Sequence, residues 1–514
     1  MPAEKPNILL IVADQLAAPF LPCYGHRVVK APHIERLAAD GVIFANAYTN
    51  SPLCAPARAT LMTGGLPSRT AVYDNAAEFR SSIPTFAHYL RLEGYRTCLS
   101  GKMHFVGPDQ LHGFEERLTT DIYPADFGWT PDWSRPGERI DWWYHNMTSV
   151  KEAGVAEITN QLEYDDEVAF LARRRLYDFA RASDTLPFCL TVSFTHPHDP
   201  YIARPKYWNL YRDEDIDAPA TDPVPYANMD AHGCRLHDMS AMCEHEIAEA
   251  DVLAARHGYY AAISYVDDHI GALLATLEAC NFAENTSVIL TSDHGDFLGE
   301  RGLWYKMSFR EHAARVPLIV HARGRFRPSR VATPVAIADV LPTLVDLARP
   351  GASSALAAPI DGRSLLPALQ GSSADPQATV LGEYLAEGVC APMVMVRQGR
   401  WKFIACGDDP DQLFDLEADP HENRNLAADP AWAAEAANLR AIVAARFDRE
   451  AIRRDVMASQ KARLSVFKAL TKGKVFPWDY QPLRLAAEQY TRNHREVTAT
   501  DVMSRYPPMK AERQ

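Results

Sequence analysis

Four short apolar runs, each followed directly by ionisable residues, constrain the fold of this chain more than any other feature. The runs cover Asn7–Ala13, Tyr95–Ser100, Phe188–Phe194 and Ser287–Leu290. Nearly continuous apolar and β-branched runs of this length are typical of strands buried on both faces, as in a parallel sheet. Helical patterns separate them, over Pro32–Asp40, Pro84–Glu93 and His257–Cys280. The alternation predicts a doubly wound α/β fold on a parallel sheet.

The polar residues after these runs predict one shared site. Asp14-Gln15, Gly101 to His104, Thr195 to Pro200 and Thr291 to Asp296 each follow one of the runs. In open α/β sheets, ligands bind beyond the carboxyl ends of the strands. A single polar cluster there is usually only a turn, but four clusters of Asp, Lys and His indicate a functional site at that edge.

Composition excludes several classes of protein. The chain has 514 residues, with 53 basic and 66 acidic side chains, and its net charge of −13 argues against a nucleic-acid-binding protein. No stretch approaches the ~18 apolar residues of a membrane span. The apolar run at Ile8 to Ala13 is too short for a signal peptide. None of the nine cysteines is spaced CxxC, which argues against a zinc ribbon or a thioredoxin motif. We expect a cytoplasmic protein that is not attached to a membrane.

The pattern changes after about residue 375. Met393–Val396 and Trp401–Ile404, with a Gln398-Gly399 turn between them, predict a β-hairpin, and Pro430–Arg449 predicts a helix. We therefore predict a catalytic α/β domain over 1–375 and a smaller C-terminal α+β domain with an extended tail over 376–514. The polar tail carries aromatic residues that need a surface to pack on, which predicts a homo-oligomer, either a dimer or a tetramer.

The segment around Cys54 carries a specific motif. Pro56 suits the first turn of a helix, so Cys54 lies at or just before the helix N-terminus, where free N–H groups favour an anion. Arg58 lies four residues further, on the same helix face. A helix start with an incidental thiol is the ordinary interpretation of such a cysteine. The CxPxR spacing is, however, also the minimal signature for oxidation of cysteine to formylglycine.

Several motifs in order give the chain a resemblance to type I sulfatases of the alkaline-phosphatase superfamily. They read NILLIVADQ, CAPAR, LMTGGLPSRTAVYDN, GYRTCLSGKMHF, TSDHGDFLGERGLWYK and LFDLEADPHENRNL, and they extend over essentially the whole chain. Within that family, the segment that begins GKMHFVGPDQLHGFEERL and the extended tail resemble the choline sulfatases. The resemblance implies an alkaline-phosphatase-like α/β fold, with a large mixed, mostly parallel sheet flanked by helices. It also implies hydrolysis of a sulfate ester, choline-O-sulfate in the first place, through a formylglycine nucleophile and a divalent metal.

The resemblance also implies a metal site. Its ligands would be Asp14, Asp293, His294 and the modified Cys54, with Gln15 as a further candidate. Oxygen-rich ligands select a hard cation, which favours Ca²⁺, with Mg²⁺ or Mn²⁺ as alternatives. Many family members have a second Asp in place of Gln15 and Asn in place of His294. Phosphonate monoester hydrolases of the superfamily share these departures, which leaves a phosphoryl side activity open.

The expected chemistry assigns further residues. A formylglycine hydrate has two hydroxyls on one carbon, so one can attack the sulfate ester and the other can later expel sulfate. The transition state needs hydrogen-bond donors around its oxygens, and the candidates are Arg58, Lys102 and Lys306. We expect His104 to assist collapse of the sulfated intermediate and His198 to act near the leaving group. A separate maturation enzyme would have to oxidise Cys54.

Choline carries a quaternary ammonium, whose binding needs aromatic faces and carboxylates. The aromatic insertion, residues 106–160, is too long and irregular for a simple connector and is predicted to be a functional loop or lid. It supplies Trp129, Trp133, Trp142, Trp143 and Tyr144, of which Trp129 is the predicted cage residue. The other predicted substrate-binding residues are Asn75, His145, Asn146 and, as the anionic partner, Glu383, with Glu496 or Asp501 of the tail from another subunit.

Three alternatives stay open on the sequence alone. The first is a sulfatase for an aryl or alkyl sulfate, and the second is a phosphonate monoester or phosphodiester hydrolase on the same scaffold. The third is a non-catalytic protein that binds a sulfate ester or a betaine-like ligand, which would require an unmodified Cys54.

Overall fold

A large mixed sheet forms the centre of the molecule. The computed structural model describes residues 5–372, 375, 377–475, 477–485, 499 and 503–507. The strands of this sheet are β1 (Asn7–Asp14), β2 (Val42–Phe44), β4 (Arg96–Gly101), β5 (Glu116–Arg117), β7 (Phe188–Pro197), β9 (Thr286–Thr291), β11 (Leu318–His321) and β12 (Ser329–Val331). Their order across the sheet is β12-β2-β11-β9-β1-β7-β4-β5.

The four strands predicted from the apolar runs are neighbours in this sheet. β1 pairs in parallel with β7 on one side and β9 on the other, and β7 pairs in parallel with β4. β11 is antiparallel to both β9 and β2, which makes the sheet mixed. Every residue of β1 is buried, because helices cover both faces. The predicted fold class is therefore confirmed.

Helices cover the sheet. They are α1 (Pro32–Ala39), α2 (Cys54–Thr63), α3 (Pro67–Thr70), α4 (Phe86–Leu92), α5 (Thr148–Lys151), α6 (Asn160–Arg181), α7 (Pro205–Trp208), α8 (Ala231–Met239), α9 (Glu249–Ala279), α10 (Glu311–Ala314), α11 (Val340–Ala348) and α12 (Leu366–Leu369). α6 and α9 pack against β7. α9 begins at Glu249, eight residues before the predicted start at His257. Within the described part of the chain, no helix is long and apolar enough to cross a membrane.

Short strands extend the body of the protein. β3 (Ala47–Tyr48) lies between β10 (Arg315–Val316) and β13 (Val335–Ala336), and β6 (Gly154–Val155) pairs in parallel with β8 (Ile202–Ala203). These pairs tie the loops near the carboxyl ends of the central strands to the body.

The C-terminal region forms a second, antiparallel sheet. It consists of β14 (Thr379–Tyr384), β15 (Met393–Gln398), β16 (Trp401–Cys406) and β17 (Gln412–Asp415) in that order, and α13 (Ala433–Arg446) packs on β15 and β16. The predicted hairpin is thus present as β15 and β16. The predicted helix begins with a 3₁₀ turn, Pro430–Trp432, and continues as α13. Apolar side chains of β15, β16 and α13 form a hydrophobic cluster of their own.

A second long helix, α14 (Arg449–Leu470), follows α13 and occupies much of the segment that the sequence described only as polar. Its buried residues are Val456, Gln460 and Arg463. Because two of these three are polar, the sequence shows no apolar stripe that would place this helix on the body.

Candidate active site

The carboxyl ends of the four central strands bring the predicted site residues together. Asp14 ends β1, Lys102 follows the last residue of β4, His198 follows the last residue of β7, and Asp293 and His294 follow β9. Adjacent parallel strands end at the same edge of the sheet, so residues that lie up to 280 positions apart in sequence become neighbours. Asp14, Lys102, Asp293 and His294 are fully buried.

The backbone around this edge is unusual. Gly101 has a φ of +114°, and a Cβ there would lie 2.0 Å from the carbonyl oxygen of Ser193, so only glycine lets β4 end this close to β7. Three non-glycine residues at the site also have positive φ: Gln15 (63°), His104 (55°) and Met307 (70°). Such strained conformations cluster at functional sites, where the surrounding packing maintains them.

Cys54 is the first residue of α2, and its Sγ points into the cluster of ionisable groups. Sγ lies 3.2 Å from His294 Nε2, 3.8 Å from Lys102 Nζ and 3.9 Å from Asp14 Oδ1. Burial by itself would raise the pKa of the Cys54 thiol, but Lys102, Lys306 and His294 hold that pKa well below its ordinary value. An anionic group at position 54 is therefore stabilised by its surroundings.

Four side chains form a group that could hold a metal ion. Four buried residues each offer one ligand atom, and these atoms lie within 4.8 Å of one another. The residues are Asp14, Cys54, Asp293 and His294. His294 Nε2 lies 3.6 Å from Asp14 Oδ1 and 3.7 Å from Asp293 Oδ2. Two carboxylates, an imidazole and the side chain of residue 54 are a suitable donor set for a divalent cation.

Gln15 lies beside this group and forms hydrogen bonds with Asp293, Asp296 and Lys306. Its backbone N–H donates to Asp293 Oδ1 (3.1 Å), and its side-chain Nε2 donates to Asp296 Oδ2 (2.6 Å). Its Oε1 accepts from Lys306 Nζ (2.8 Å). Both ends of the amide are thus engaged by Asp296 and Lys306, and the structure gives Gln15 no direct contact with Cys54.

Two cations compensate the buried carboxylates. Arg58 Nε donates to Asp293 Oδ2 (2.8 Å), and its Nη2 lies 3.3 Å from Asp14 Oδ2. Lys102 Nζ forms an ion pair with Asp14. Burial alone would raise the pKa of Asp14, but Lys102, His198 and Arg58 hold it well below its usual value. The positively charged groups of Arg58 and Lys102 therefore both lie beside Cys54.

Lys306 and His198 form a pair on another side of Cys54. Lys306 Nζ lies 2.6 Å from His198 Nε2, and His198 Nδ1 lies 2.7 Å from the carbonyl oxygen of Asp199. Burial by itself would lower the pKa of Lys306, but Cys54, Asp14 and Asp199 raise it, so the lysine is positively charged.

His104 lies on the aromatic side of Cys54 and contributes to the lowered pKa of the Cys54 thiol. Both of its ring nitrogens are buried and have no hydrogen-bond partner among the described residues. The His104 ring packs edge-on against Trp129, with 5.7 Å between centroids, and lies 5.2 Å from the Tyr123 ring. Lys102 Nζ lies 4.1 Å from the centroid of that tyrosine ring. The structure therefore places both predicted histidines, His104 and His198, next to residue 54.

A pocket of mixed character opens from Cys54. Its lining consists of Cys54, Asn75, Tyr123, Trp129, Trp143, Tyr144, His145, His198, Met239, Lys306, Met307 and Glu387. The rings of Trp129 and Trp143 are nearly parallel, with an interplanar angle of 11° and centroids 6.3 Å apart, and Trp143 meets Tyr144 edge-on. Cations thus surround one end of the pocket and aromatic faces line the other.

The acidic residue that lines this pocket is Glu387, whereas the predicted anionic partner, Glu383, lies outside the lining. The Glu383 carboxylate accepts hydrogen bonds from Ser68 N (2.7 Å) and Ser68 Oγ (2.6 Å), and Glu383 is not part of the pocket lining. Glu387 is 5% exposed, and its Oε2 has no hydrogen-bond partner among the described residues. The segment LGEYLAEG contains both glutamates, and only the turn after β14 decides which one faces the pocket.

The other predicted substrate-binding residues divide into two groups. Asn75 and His145 line the pocket, whereas the Asn146 side chain accepts from Thr148 N (2.9 Å) and lies outside it. Burial lowers the pKa of His145 to about 3, so this ring is neutral and does not repel a cation.

Of the five aromatic residues predicted from the aromatic insertion, some line the pocket and others lie outside it. Trp129, Trp143 and Tyr144 line the pocket. Trp133 is buried elsewhere, and Trp142 is 63% exposed. Tyr123 belongs to the pocket although no sequence signal indicated it. Glu496 and Asp501 lie outside the described residues.

Comparison with known families assigns both parts of the chain. The family model described as "Sulfatase" matches residues 6–350. A model described as "Choline sulfatase enzyme C terminal" matches residues 454–506, and one described as "N-sulphoglucosamine sulphohydrolase, C-terminal" matches residues 299–447.

Individual proteins and structures agree with these matches. The chain is 52% identical over 514 residues to a choline-sulfatase of Rhizobium meliloti (strain 1021), covering 99% of each chain. It is 28% identical to arylsulfatase K of Rattus norvegicus, covering 83% of this chain and 76% of that protein. Among solved structures, the phosphonate monoester hydrolase of Agrobacterium radiobacter superposes with a TM-score of 0.68 at 23% identity, covering 86% of this chain and 95% of the other, which indicates a shared fold.

Proposed function

Since the chain belongs to the sulfatase family and is a sulfuric ester hydrolase, we propose that its substrate is choline-O-sulfate, which it hydrolyses to choline and sulfate. The observation that carries this proposal is the pocket that begins at Cys54 and ends in aromatic rings around the buried carboxylate of Glu387. The relative with 52% identity over the full length, a choline-sulfatase, supports the same substrate.

The two ends of the pocket suit the two ends of this substrate. The sulfate would lie among Arg58, Lys102 and Lys306, whose positive charges are desolvated and therefore act strongly on an anion. The trimethylammonium group cannot donate a strong hydrogen bond, so it would lie against aromatic faces such as that of Trp129, near Glu387. An alkyl sulfate without a cationic group would use only the first end.

Residue 54 would act after conversion of Cys54 to formylglycine. In that oxidation the CH₂–SH group becomes an aldehyde, sulfur is replaced by oxygen and two hydrogens are lost, and a separate maturation enzyme supplies the oxidant. The hydrated aldehyde presents two hydroxyls. One hydroxyl would give up its proton and its oxygen would form a bond to sulfur, while the bond between sulfur and the choline oxygen would break. The electron pair of that bond would leave with the choline oxygen, which takes up one proton.

Side chains of this protein would donate and accept the protons in both steps. The choline oxygen needs a proton as it leaves, and the pair of Lys306 and His198 lies on the pocket wall where that oxygen would be. The second hydroxyl of residue 54 would then lose its proton. His104, whose buried ring nitrogens have no hydrogen-bond partner among the described residues, is the base we assign to that step. Re-formation of the C=O bond expels sulfate and restores the aldehyde.

A divalent cation, Ca²⁺ in the first place, would be held by Asp14, Asp293, His294 and residue 54. It would lower the pKa of the attacking hydroxyl and balance the charge of the sulfate group. Arg58, which contacts both Asp14 and Asp293, would keep those carboxylates oriented.

The remaining expectations stay predictions. They are the domain division between residues 375 and 376, a homo-oligomer and a cytoplasmic location.

Release of free sulfate from choline sulfate by the purified enzyme tests the substrate. We expect turnover that is absent in Cys54→Ala, and a kcat/KM at least about tenfold higher than for ethyl sulfate, which lacks the ammonium. Matched assays with 4-nitrophenyl sulfate and with phenyl phosphonate esters separate the other activities. Higher kcat/KM for any of these esters would overturn the choline assignment.

Intact mass of the peptide that contains Cys54 tests the nucleophile. Enzyme from its native host should contain a peptide about 18 Da lighter than the thiol form, as replacement of sulfur by oxygen and loss of two hydrogens require. Active enzyme in which this peptide is entirely unmodified thiol would contradict the mechanism.

A further inference from the structure

Helix α14 touches no reacting group, yet it contacts three of the segments that build the aromatic end of the pocket. Its inward face consists of Val456, Gln460 and Arg463, at the spacing of residues on one side of a helix. The two polar members of this face are almost completely buried, with Gln460 2% and Arg463 6% exposed. Buried polar groups of this kind need specific partners.

Arg463 holds the loop that supports the start of α2. Its Nη1 donates to Asp74 Oδ1 (2.7 Å) and its Nη2 donates to Asp74 Oδ2 (2.6 Å), a bidentate pair in which Asp74 is fully buried. The next residue, Asn75, lines the pocket and accepts from Ala55 N (2.9 Å) beside Cys54. The position of Arg463 therefore fixes the wall next to the nucleophile.

The same guanidinium also holds the aromatic insertion. Arg463 Nη1 donates to Thr130 Oγ1 (3.0 Å), directly after Trp129. One turn earlier, Gln460 Oε1 accepts from Trp133 N (2.9 Å), and Trp133 Nε1 donates to the carbonyl oxygen of Ala386 (2.8 Å), the neighbour of Glu387. One helix face thus connects Asn75, Trp129 and Glu387.

From these contacts we propose that Arg463 is a positioning residue that determines specificity for the ammonium half of the substrate. This inference rests on the proposed function. Arg463 fixes the distance between Cys54 and the aromatic end by joining Asp74 to Thr130 through one rigid, planar group. Binding of choline sulfate, which would occupy both ends of the pocket, depends on that distance. Binding of a short sulfate ester that lacks the ammonium group does not.

Arg463→Lys tests the proposal, because lysine keeps the charge but cannot make a bidentate pair with Asp74 and also reach Thr130. We expect KM for choline sulfate to rise about tenfold with kcat changed less than about twofold, and the inhibition constant of choline to rise in parallel. Kinetic constants for ethyl sulfate should change less than about twofold. Arg440→Lys is the control, since Arg440 donates from Nε (2.8 Å) and Nη2 (2.6 Å) to Asp411 Oδ2 on the exposed side of α13.

Thr130→Val provides a second variant if Arg463→Lys folds poorly, which thermal melting would reveal. It removes the bond from Arg463 and a local bond from Thr130 Oγ1 to the carbonyl oxygen of Phe127 (2.8 Å), while the pair of Arg463 with Asp74 remains. It should raise KM for choline sulfate about threefold without affecting ethyl sulfate. Equal losses for both substrates, or no change in either variant, would overturn the role of Arg463. If instead the wild type does not favour choline sulfate over ethyl sulfate, the proposed function is wrong and not merely the role of Arg463.

Discussion

His294 Nε2 lies 3.2 Å from Cys54 Sγ, which joins the loop after β9 to the first residue of α2. The contact crosses 240 positions of sequence. It places the imidazole between residue 54 and the carboxylates of Asp14 and Asp293, and it makes residue 54 part of the group that could hold a metal.

Removal of divalent metal should abolish turnover and lower the melting temperature. Without a cation, Asp14 and Asp293 lose part of the charge that compensates their burial. Elemental analysis before and after chelation, with calorimetry and sulfate release on the same samples, checks this. Full activity at less than about a tenth of one metal ion per chain would contradict the proposed metal site.

His294→Asn should change metal preference and leave the fold intact. The substitution replaces a nitrogen donor with an amide oxygen, so affinity for Mn²⁺ should fall about tenfold more than affinity for Ca²⁺. Equilibrium dialysis with each ion measures this directly and does not depend on turnover. His237→Asn is the control, since His237 is remote from the candidate metal group. Equal changes for both ions would show that His294 does not contact the metal.

Choline binding should strengthen as pH rises through about 8. Burial, with a smaller contribution from Asp74, raises the pKa of Glu387 to about 8, although Lys306 opposes the shift. The carboxyl is therefore mostly neutral at pH 7 and charged at pH 9, so the inhibition constant of choline should fall about tenfold over that interval.

Glu387→Gln should remove this pH dependence and weaken choline binding most at pH 9. Glu383→Gln is the matched control, because the Glu383 carboxylate is occupied by Ser68 and does not line the pocket. Inhibition constants of choline between pH 6.5 and 9.5 distinguish the two residues. Loss of the pH dependence in Glu383→Gln alone would restore the prediction made from the sequence.

Trp129→Ala should raise KM for choline sulfate about tenfold, since a desolvated contact between a cation and an aromatic face is worth up to about 2 kcal/mol. Ethyl sulfate should be affected much less. Trp142→Ala is a suitable control from the same aromatic insertion, because Trp142 is 63% exposed and lies outside the pocket. Steady-state kinetics on both substrates check this, and a similar KM change in both variants would argue against a cage at Trp129.

Lys402→Met should destabilise the protein by about 3–5 kcal/mol, because it leaves two buried carboxylates without their cation. Lys402 Nζ lies 2.8 Å from Glu311 Oε1 and 2.6 Å from Glu422 Oε1, and all three residues are buried. Urea unfolding measures the loss. Arg400→Met is the control, since its pair with Asp415 is partly exposed and should contribute less than about 1 kcal/mol.

The same pair predicts a pH dependence of stability. Burial would raise the pKa of Glu311, but Lys402 lowers it to about 2, so the pair stabilises the fold above the ordinary glutamate pKa and loses that contribution as pH falls. The difference between wild type and Lys402→Met should therefore be largest near neutral pH and shrink toward pH 3. A difference that does not depend on pH would indicate a packing effect.

The sequence alone determined the central sheet and the residues that meet at its carboxyl edge. β1, β4, β7 and β9 could be predicted because a strand buried on both faces needs a continuous apolar run, and such a run is local. Asp14, Lys102, His198 and Asp293 could be placed together because parallel strands end at one edge of the sheet. Cys54 at the start of α2 followed from Pro56 and the CxPxR spacing.

Only the tertiary structure determined which residues form the end of the pocket away from Cys54. Glu383 and Glu387 are four residues apart in one segment. Glu383 accepts from Ser68, 315 positions away, whereas Glu387 lines the pocket. Arg463 and Asp74 are 389 positions apart and carry no local pattern. Local periodicity reports which residues a single element buries, whereas the partner of a buried polar side chain depends on how distant elements pack.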